Sequence, residues 1–244
     1  MKKLLLADLD HGFLSATDQL DKSRLNQQLA ALATQGVQMG FMTVLPYAKL
    51  IQILRGIQAP VTLICEGGAQ TVNDRVVTGD IPIDYDTWTD ALQWLQGQRD
   101  FNTAYVVLSG KMNAYTDAHD DNSAAQAFSQ IYPSLYQMSD LTLVGDTVYQ
   151  MSLYFANGDL QTLAQTFNSH FNGRLVAVAS EHLLWITAFE ASYANAIDQL
   201  STELELPDQA VVMLTQQAGT DPIDAIMGTE PVDGYDAIDQ WLSK

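Results

Sequence analysis

The chain has 244 residues, which at about 150 per domain means one large domain or a core carrying an insertion. Apolar residues make up 47% and charged residues 16%, a balance that supplies a packed core and excludes a disordered chain. The net charge is −18, 23 of the 29 acids are Asp, and the 11 basic residues are scattered from Lys2 to Lys244 without forming a patch; this excludes nucleic acid and anionic membrane surfaces as expected partners.

A lone cysteine, Cys65, excludes an internal disulfide and a cysteine-built zinc site. It fits a reducing compartment, so a cytoplasmic protein is expected. The apolar run at Leu4-Leu5-Leu6-Ala7 meets Asp8 and Asp10 too early for a signal peptide. No stretch approaches the roughly 20 apolar residues of a membrane span.

That same run has no alternation, which predicts a strand over Lys3–Leu9 buried on both faces, as in a parallel sheet. Leu25, Leu29, Leu32 and Ala33 form the stripe of a helix that Gly36 ends. Val37–Met42 is a second apolar strand. Pro46 stands where a first helical turn starts, with Leu50, Ile51 and Leu54 on the inner face. Val61–Ile64 is a third strand, closed by Gly67-Gly68. This β-α-β-α-β order with short connections predicts a parallel sheet covered by helices.

Beyond about residue 80 the rhythm changes. A hairpin over Ala69–Val77, turning at Asn73-Asp74, leads to a helix over Asp86–Gln96 and a strand over Thr103–Leu108. A polar loop over 110–124 precedes a helix over Ala124–Ile131. A strand over Val148–Phe155, a helix over Leu160–His170 and strands over Leu175–Ala179 and Leu183–Thr187 complete an α+β stretch. The first rhythm then returns with a helix over Ser192–Leu204, a strand over Ala210–Leu214, a short helix over Asp221–Met227 and a terminal helix over Gly234–Leu242. The fold class is therefore α/β: a parallel-sheet core from about 1–80 and 187–244, interrupted by an α+β insertion at about 81–186.

The sharpest local feature is Asp8-Leu9-Asp10-His11-Gly12, directly after the first strand. Ligands in open α/β sheets bind beyond the carboxyl ends of the strands. Residues two apart on extended backbone point the same way, so Asp8 and Asp10 are expected to converge on that crevice. Such a pair can hold Mg²⁺ through oxygen ligands. One carboxylate can attack a phosphoryl group while the other protonates the leaving oxygen. The plain alternative is two solvated acids ending a strand.

Three motifs fall in a telling order. Asp8-Leu9-Asp10-His11-Gly12 ends the first strand, Met42-Thr43-Val44-Leu45-Pro46 ends the second, and Glu66-Gly67-Gly68-Ala69 follows the third. They stand where a DxDGT motif, a TGR-like motif and an E-N-G-A loop occur in the haloacid dehalogenase-like (HAD) superfamily. The chain resembles that superfamily, in particular its Cof-like phosphatases with a large α/β cap. The resemblance covers nearly the whole chain, and it implies a Rossmann-like core with an inserted α+β cap that closes over substrate and sets specificity. It implies hydrolysis of a small phosphorylated metabolite through an aspartyl-phosphate, with Mg²⁺ as cofactor. Asp8 would be the nucleophile. Asp10 would be the general acid and base and would also hold Mg²⁺ through its backbone carbonyl. Thr43 would hydrogen-bond the phosphate, and N–H groups near Leu9, Asp10 and Val44 would complete its cradle. Asp8, Asp10 and Asp221 would hold the metal.

The departures are as specific as the matches. The family's third motif is a lysine opening a helix, and the matching place reads Tyr193-Ala194-Asn195-Ala196, with no Lys or Arg between Arg174 and Lys244. The fourth motif is usually GDxxND. Here its first acid falls on Gln216, and Asp221 stands in only with a one-residue slip. Removing one charge-stabilising group typically costs on the order of a hundredfold to a thousandfold in phosphoryl transfer. A second reading follows: a catalytically inactive HAD-fold protein that binds a ligand or a protein partner. Lys49 is the candidate to replace the lysine, against the plain reading of a surface lysine. His11 could ligate a metal or touch phosphate, or be an ordinary loop histidine. His119 with Asp117, Asp120 and Asp121 is set down as a solvated acidic loop rather than a metal loop. His170 and His182 have no partner at metal-ligand spacing. Cys65, Trp88, Trp94 and Trp185 are assigned to packing.

Overall fold

The computed structural model describes residues 3–15, 19–98, 101, 104–118, 123–207, 210–214 and 233–243. The chain forms two compact units, one from Met1–Asp80 with Ser192–Lys244 and the other from Ile81–Ala191. The first opens with β1 (Lys3–Asp8), α1 (Leu9–Gly12), α2 (Lys22–Thr34), β2 (Val37–Met42), α3 (Tyr47–Ile53), β3 (Val61–Cys65), β4 (Gln70–Asn73) and β5 (Val76–Asp80). The second runs through α4 (Tyr85–Gln96), β6 (Tyr105–Gly110), β7 (Ala114–Thr116), α5 (Ser123–Ile131), β8 (Leu135–Gln137), β9 (Val148–Tyr154), α6 (Leu160–His170), β10 (Leu175–Ala179) and β11 (Leu183–Ala188). The chain returns to the first unit with α7 (Tyr193–Glu203), β12 (Val211–Met213) and α8 (Gly234–Leu242).

The sheet of the first unit has the order β12-β1-β2-β3-β4-β5, with β12, β1, β2 and β3 parallel and the β4–β5 hairpin antiparallel. Its central β1 shows why an unbroken apolar run was needed. Leu4 and Leu6 pack with Met42, Ile64 and with Ala196 and Leu200 of α7. Leu5 between them is equally buried and faces the other side. α2 is capped by Asp21, whose carboxylate accepts from Arg24 N at 3.0 Å. It is followed by Gly36 at φ 71, the left-handed stop that the sequence signals. α8 is tied to α2 by Gln28 Nε2 donating to the Tyr235 carbonyl at 2.7 Å, and by Arg24 bridging Asp236 and Asp239.

The sheet of the second unit has the order β10-β11-β9-β6-β7-β8. Alternation along β6 divides its two faces. Val106 and Leu108 join Trp88 and Leu92 of α4 and Phe167 of α6, whereas Tyr105 and Val107 join Phe128 of α5 and Tyr132 just after it. Two expectations change here. The supposed loop at 110–124 contains β7, and β8 was not foreseen; both are three-residue strands, β8 at the sheet edge and β7 between it and β6, too short to show a period. Asp146 fastens that region by accepting from Met112 N at 2.8 Å and from the Tyr115 hydroxyl at 3.0 Å. The expected boundary at 187 falls inside β11, which stays paired to β10 through Ala188, so the chain re-enters the first unit at Ser192. The short helix expected over 221–227 lies outside the described residues. No helix among the described residues is long and apolar enough to cross a membrane.

Candidate active site

The carboxyl end of β1 sits between β12 and β2, with Asp8 in register with Met42. The backbone leaves the strand at Asp8 (φ −70, ψ 119) and turns at once into α1. Asp8 is the N-cap of that turn: its Oδ1 accepts from Asp10 N at 2.8 Å and from His11 N at 3.1 Å. This corrects the expectation that Asp8 and Asp10 share a side of an extended strand. They converge because the first carboxylate caps the helical turn that carries the second. The turn also places His11 three residues on from Asp8, and its Nδ1 lies 2.9 Å from Asp8 Oδ2 with the ring 73% exposed. The i,i+3 spacing after a capping Asp is the signal that could have revealed this pair.

Asp10 is held from the neighbouring strand. The Thr43 hydroxyl donates to its Oδ1 at 2.5 Å, and Val44 N donates to its Oδ2 at 3.0 Å. Thr43 is buried, and its oxygen in turn accepts from Leu45 N at 3.0 Å. Thr43, expected to contact phosphate, therefore positions Asp10 in this structure. Burial raises the Asp10 carboxyl to a pKa of about 6, aided by the Asp8 charge and opposed by the Thr43 and Val44 hydrogen bonds. His11 is raised above its ordinary value, chiefly by its hydrogen bond to Asp8.

The wall beside these residues comes from Glu66-Gly67-Gly68. Gly67 N donates to the Thr43 carbonyl at 3.2 Å and Glu66 N to the Leu45 carbonyl at 3.2 Å. Gly68 has φ 105, and a Cβ there would lie 2.4 Å from the Ser192 carbonyl carbon. Only glycine lets the start of α7 approach so closely. Ser192 caps α7 by accepting from Asn195 N at 3.2 Å, and Tyr193 follows as the first helical residue. Its ring packs on the cluster of Leu4, Leu6, Met42 and Ile64. Burial raises its hydroxyl well above the ordinary range, with Asp10 and Asp8 adding to the shift. The phenol is thus neutral at physiological pH and shares the electrostatic environment of the carboxylate pair. Lys49 is half-buried on α3. Burial likewise raises the Cys65 thiol, with Glu66 and Asp10 adding to it, so Cys65 is an inert packed side chain.

The donor set suits Mg²⁺. It is all oxygen, and the Asp8 charge adds to the burial that resists ionisation of Asp10; a hard dication, which takes one or two carboxylates and bound water, would relieve that conflict. Asp221 and Gln216, the sequence candidates for the remaining ligand position, lie outside the described residues, as do His119, Asp120 and Asp121. Among the described residues no group of three His, Cys, Asp or Glu side chains could hold a metal ion. His170 stacks on Trp94, and His182 lies 3.8 Å from Glu181. Trp88 is buried, and Trp94 packs edge-on against Phe167 in the core of the second unit. Trp185 is half-buried.

The family model for haloacid dehalogenase-like hydrolase matches residues 5–214. The chain belongs to this family. Solved structures agree in fold. SMU.1108c from Streptococcus mutans is 15% identical, with full coverage of both chains and a TM-score of 0.86. A haloacid dehalogenase-like hydrolase from B. subtilis is 16% identical over 86% of this chain and 82% of its own, with a TM-score of 0.69. BT1666 from Bacteroides thetaiotaomicron, described among the phosphatases of the haloalkanoate (HAD) superfamily, is 16% identical over 87% of this chain and 76% of its own, with a TM-score of 0.67. No protein of curated function matches the sequence.

The raised pKa of Asp10 in this HAD-like hydrolase has a consequence for stability. The folded state holds the Asp10 proton up to about pH 6, whereas the unfolded chain releases it near 3.8. Asp10 therefore opposes folding above pH 6, and this penalty disappears as the pH falls toward 4. Asp10→Asn removes the titration. In chelator-treated buffer its stability relative to the natural chain is expected to improve by roughly 1–2 kcal/mol between pH 4 and pH 7, discounted for partial exposure. Urea melts at the two pH values check this, and a stability difference that does not change with pH contradicts it.

Proposed function

We propose that the chain is a Cof-like, Mg²⁺-dependent phosphatase of small phosphorylated metabolites, working through an aspartyl-phosphate at Asp8, with turnover weakened by its altered third and fourth motifs. The observation that carries this reading is the carboxylate pair at the end of β1, with Asp10 tuned to about 6 beside a capping Asp8. An acid of that strength can both give and take a proton near neutral pH. BT1666 supports the phosphatase reading as a structural neighbour. The charge of −18 favours a small-molecule substrate over nucleic acid or an anionic membrane.

In the first half-reaction an Asp8 carboxylate oxygen attacks phosphorus, and the leaving oxygen takes the proton of Asp10. In the second, water attacks the acyl phosphate, Asp10 takes its proton, and inorganic phosphate departs with Asp8 restored. The amides of Asp10 and His11 and the His11 ring fix the orientation of Asp8. Thr43 and Val44 fix Asp10. Of the main-chain groups that the resemblance gives to the phosphate, Val44 N is instead taken by Asp10, and the N–H near Leu9 is assigned to the phosphoryl oxygens. When bound, Mg²⁺ would be held by Asp8, Asp10 and Asp221 and would supply positive charge that neutralises the phosphoryl oxygens.

Tyr193 favours a second reading. A neutral phenol at the start of α7, with Val44-Leu45 in place of a polar pair, leaves the crevice short of cations. An inactive HAD-fold protein that binds a ligand or a protein partner accommodates that loss. Chelation separates the two. Hydrolysis of p-nitrophenyl phosphate is expected with Mg²⁺ and is expected to fall at least about a hundredfold in EDTA. Hydrolysis indifferent to EDTA overturns the phosphatase reading, and no hydrolysis under any condition favours the inactive one.

A further inference from the structure

The first unit carries a cavity beside α3, at the amino end of β3 and so away from the end of the sheet that holds Asp8 and Thr43. It has a volume of about 390 Å³, within the range of small-molecule sites. Ile51, Leu54 and Leu63 give it apolar walls, and Arg55 and Arg75 line it, the latter from the β4–β5 turn.

Two observations set this cavity apart. In a chain with 29 acids and 11 basic residues, an arginine readily finds a carboxylate: Arg24 bridges Asp236 and Asp239, and Arg174 meets Asp90. Among the described residues neither Arg55 nor Arg75 has a carboxylate in salt-bridge range, although Asp74 lines the same cavity. The second observation is backbone conformation. Asp74 and Arg75 have φ 46 and φ 67, the left-handed pair of a two-residue hairpin turn. Glycine is the default at the second of these positions, and an arginine is strained there. The strained residue is the one that brings a guanidinium to the cavity.

We propose that this cavity is a binding site for a small molecule that carries one oxyanion on an apolar or aromatic body. Arg55 and Arg75 take the oxyanion, and the Ile51, Leu54 and Leu63 side chains take the body. A free inorganic anion would leave the apolar walls uncovered, and a neutral hydrocarbon would leave both guanidinium groups unmet. A groove of this volume, open to solvent along Ile51, Arg55 and Arg75, suits a single small molecule.

Calorimetric titration of the full-length chain with naphthalene-1-sulfonate tests this. Binding at micromolar Kd is expected. Neutral 1-naphthalenemethanol and sodium sulfate are each expected to bind at least about tenfold more weakly. Arg75→Gly is the decisive variant because it removes the guanidinium and relieves the turn. It is expected to melt no lower than the natural chain and to bind the sulfonate at least about tenfold more weakly; Arg55→Gln is expected to weaken binding likewise. Asp8→Asn is expected to bind unchanged, so this site and the proposed phosphatase site fail or succeed separately. No binding, binding indifferent to Arg55→Gln and Arg75→Gly, or binding lost in Asp8→Asn overturns the proposal.

Discussion

Asp8→Asn is expected to lower Mg²⁺-dependent hydrolysis of an aryl phosphate by at least about a thousandfold while leaving the fold intact. The argument rests on what each atom of Asp8 does. Its Oδ1 caps α1 through Asp10 N and His11 N, and an asparagine carbonyl oxygen caps equally well. What the amide cannot do is attack phosphorus as a carboxylate. The exposed pairing with His11 is lost, but an ion pair that open to water contributes little to stability. Activity and stability should therefore separate: a large fall in kcat with a melting temperature close to that of the natural chain. A comparable fall in melting temperature would mean that the cap had been broken and that the activity loss was structural.

The second large effect concerns Tyr193 and Gln216, which stand at the places of the family's third and fourth motifs. Hydrolysis of a generic aryl phosphate by the natural chain, with Mg²⁺ present, is expected to lie at least about a hundredfold below that of a family member with intact third and fourth motifs. Burial and the nearby Asp10 and Asp8 keep the Tyr193 phenol protonated, so it meets a phosphate dianion with no charge. Gln216, in the place of a Mg²⁺-holding acid, offers a neutral amide. Tyr193→Lys together with Gln216→Asp is expected to raise kcat/KM by more than the product of the single changes, because metal and lysine act on the same oxygens. A lysine there also adds a positive charge beside Asp10, which should pull its pKa below 6 and shift the pH profile downward. If the natural chain already turns over a sugar phosphate or nucleotide at tens per second, another group is supplying the charge, and Lys49 is the first to test.

Much of the frame was legible because its signals were physical. Leu4-Leu5-Leu6-Ala7 has no polar face to offer water, so it reads as a strand buried on both sides, which β1 is. Gly36 and Pro46 mark the stop of α2 and the start of α3 through restricted backbone torsions. The short strands β7 and β8 were not legible, since three residues carry no period and Asp146, far along the chain, fastens the neighbouring turn. At the site, the spacing of Asp8 and Asp10 pointed to a carboxylate pair. The reason given for their convergence was wrong in detail, because a capping carboxylate had already turned the chain into α1. The hold of Thr43 on Asp10 joins residues 33 apart and has no local signature. The approach of α7 to Gly68 is similar: the glycine was visible, and its reason was the backbone of Ser192 on a distant segment.

The most direct test of the central claim, that Asp8 is the group that takes the phosphoryl, is acid-quench trapping of the protein during turnover of a labelled acyl or aryl phosphate, followed by peptide mapping. The account predicts up to one phosphoryl group per chain, on the peptide containing Asp8, absent in Asp8→Asn and increased in Tyr193→Lys with Gln216→Asp. Turnover that persists in Asp8→Asn, or no label on Asp8 in either the natural chain or the double variant, would contradict it.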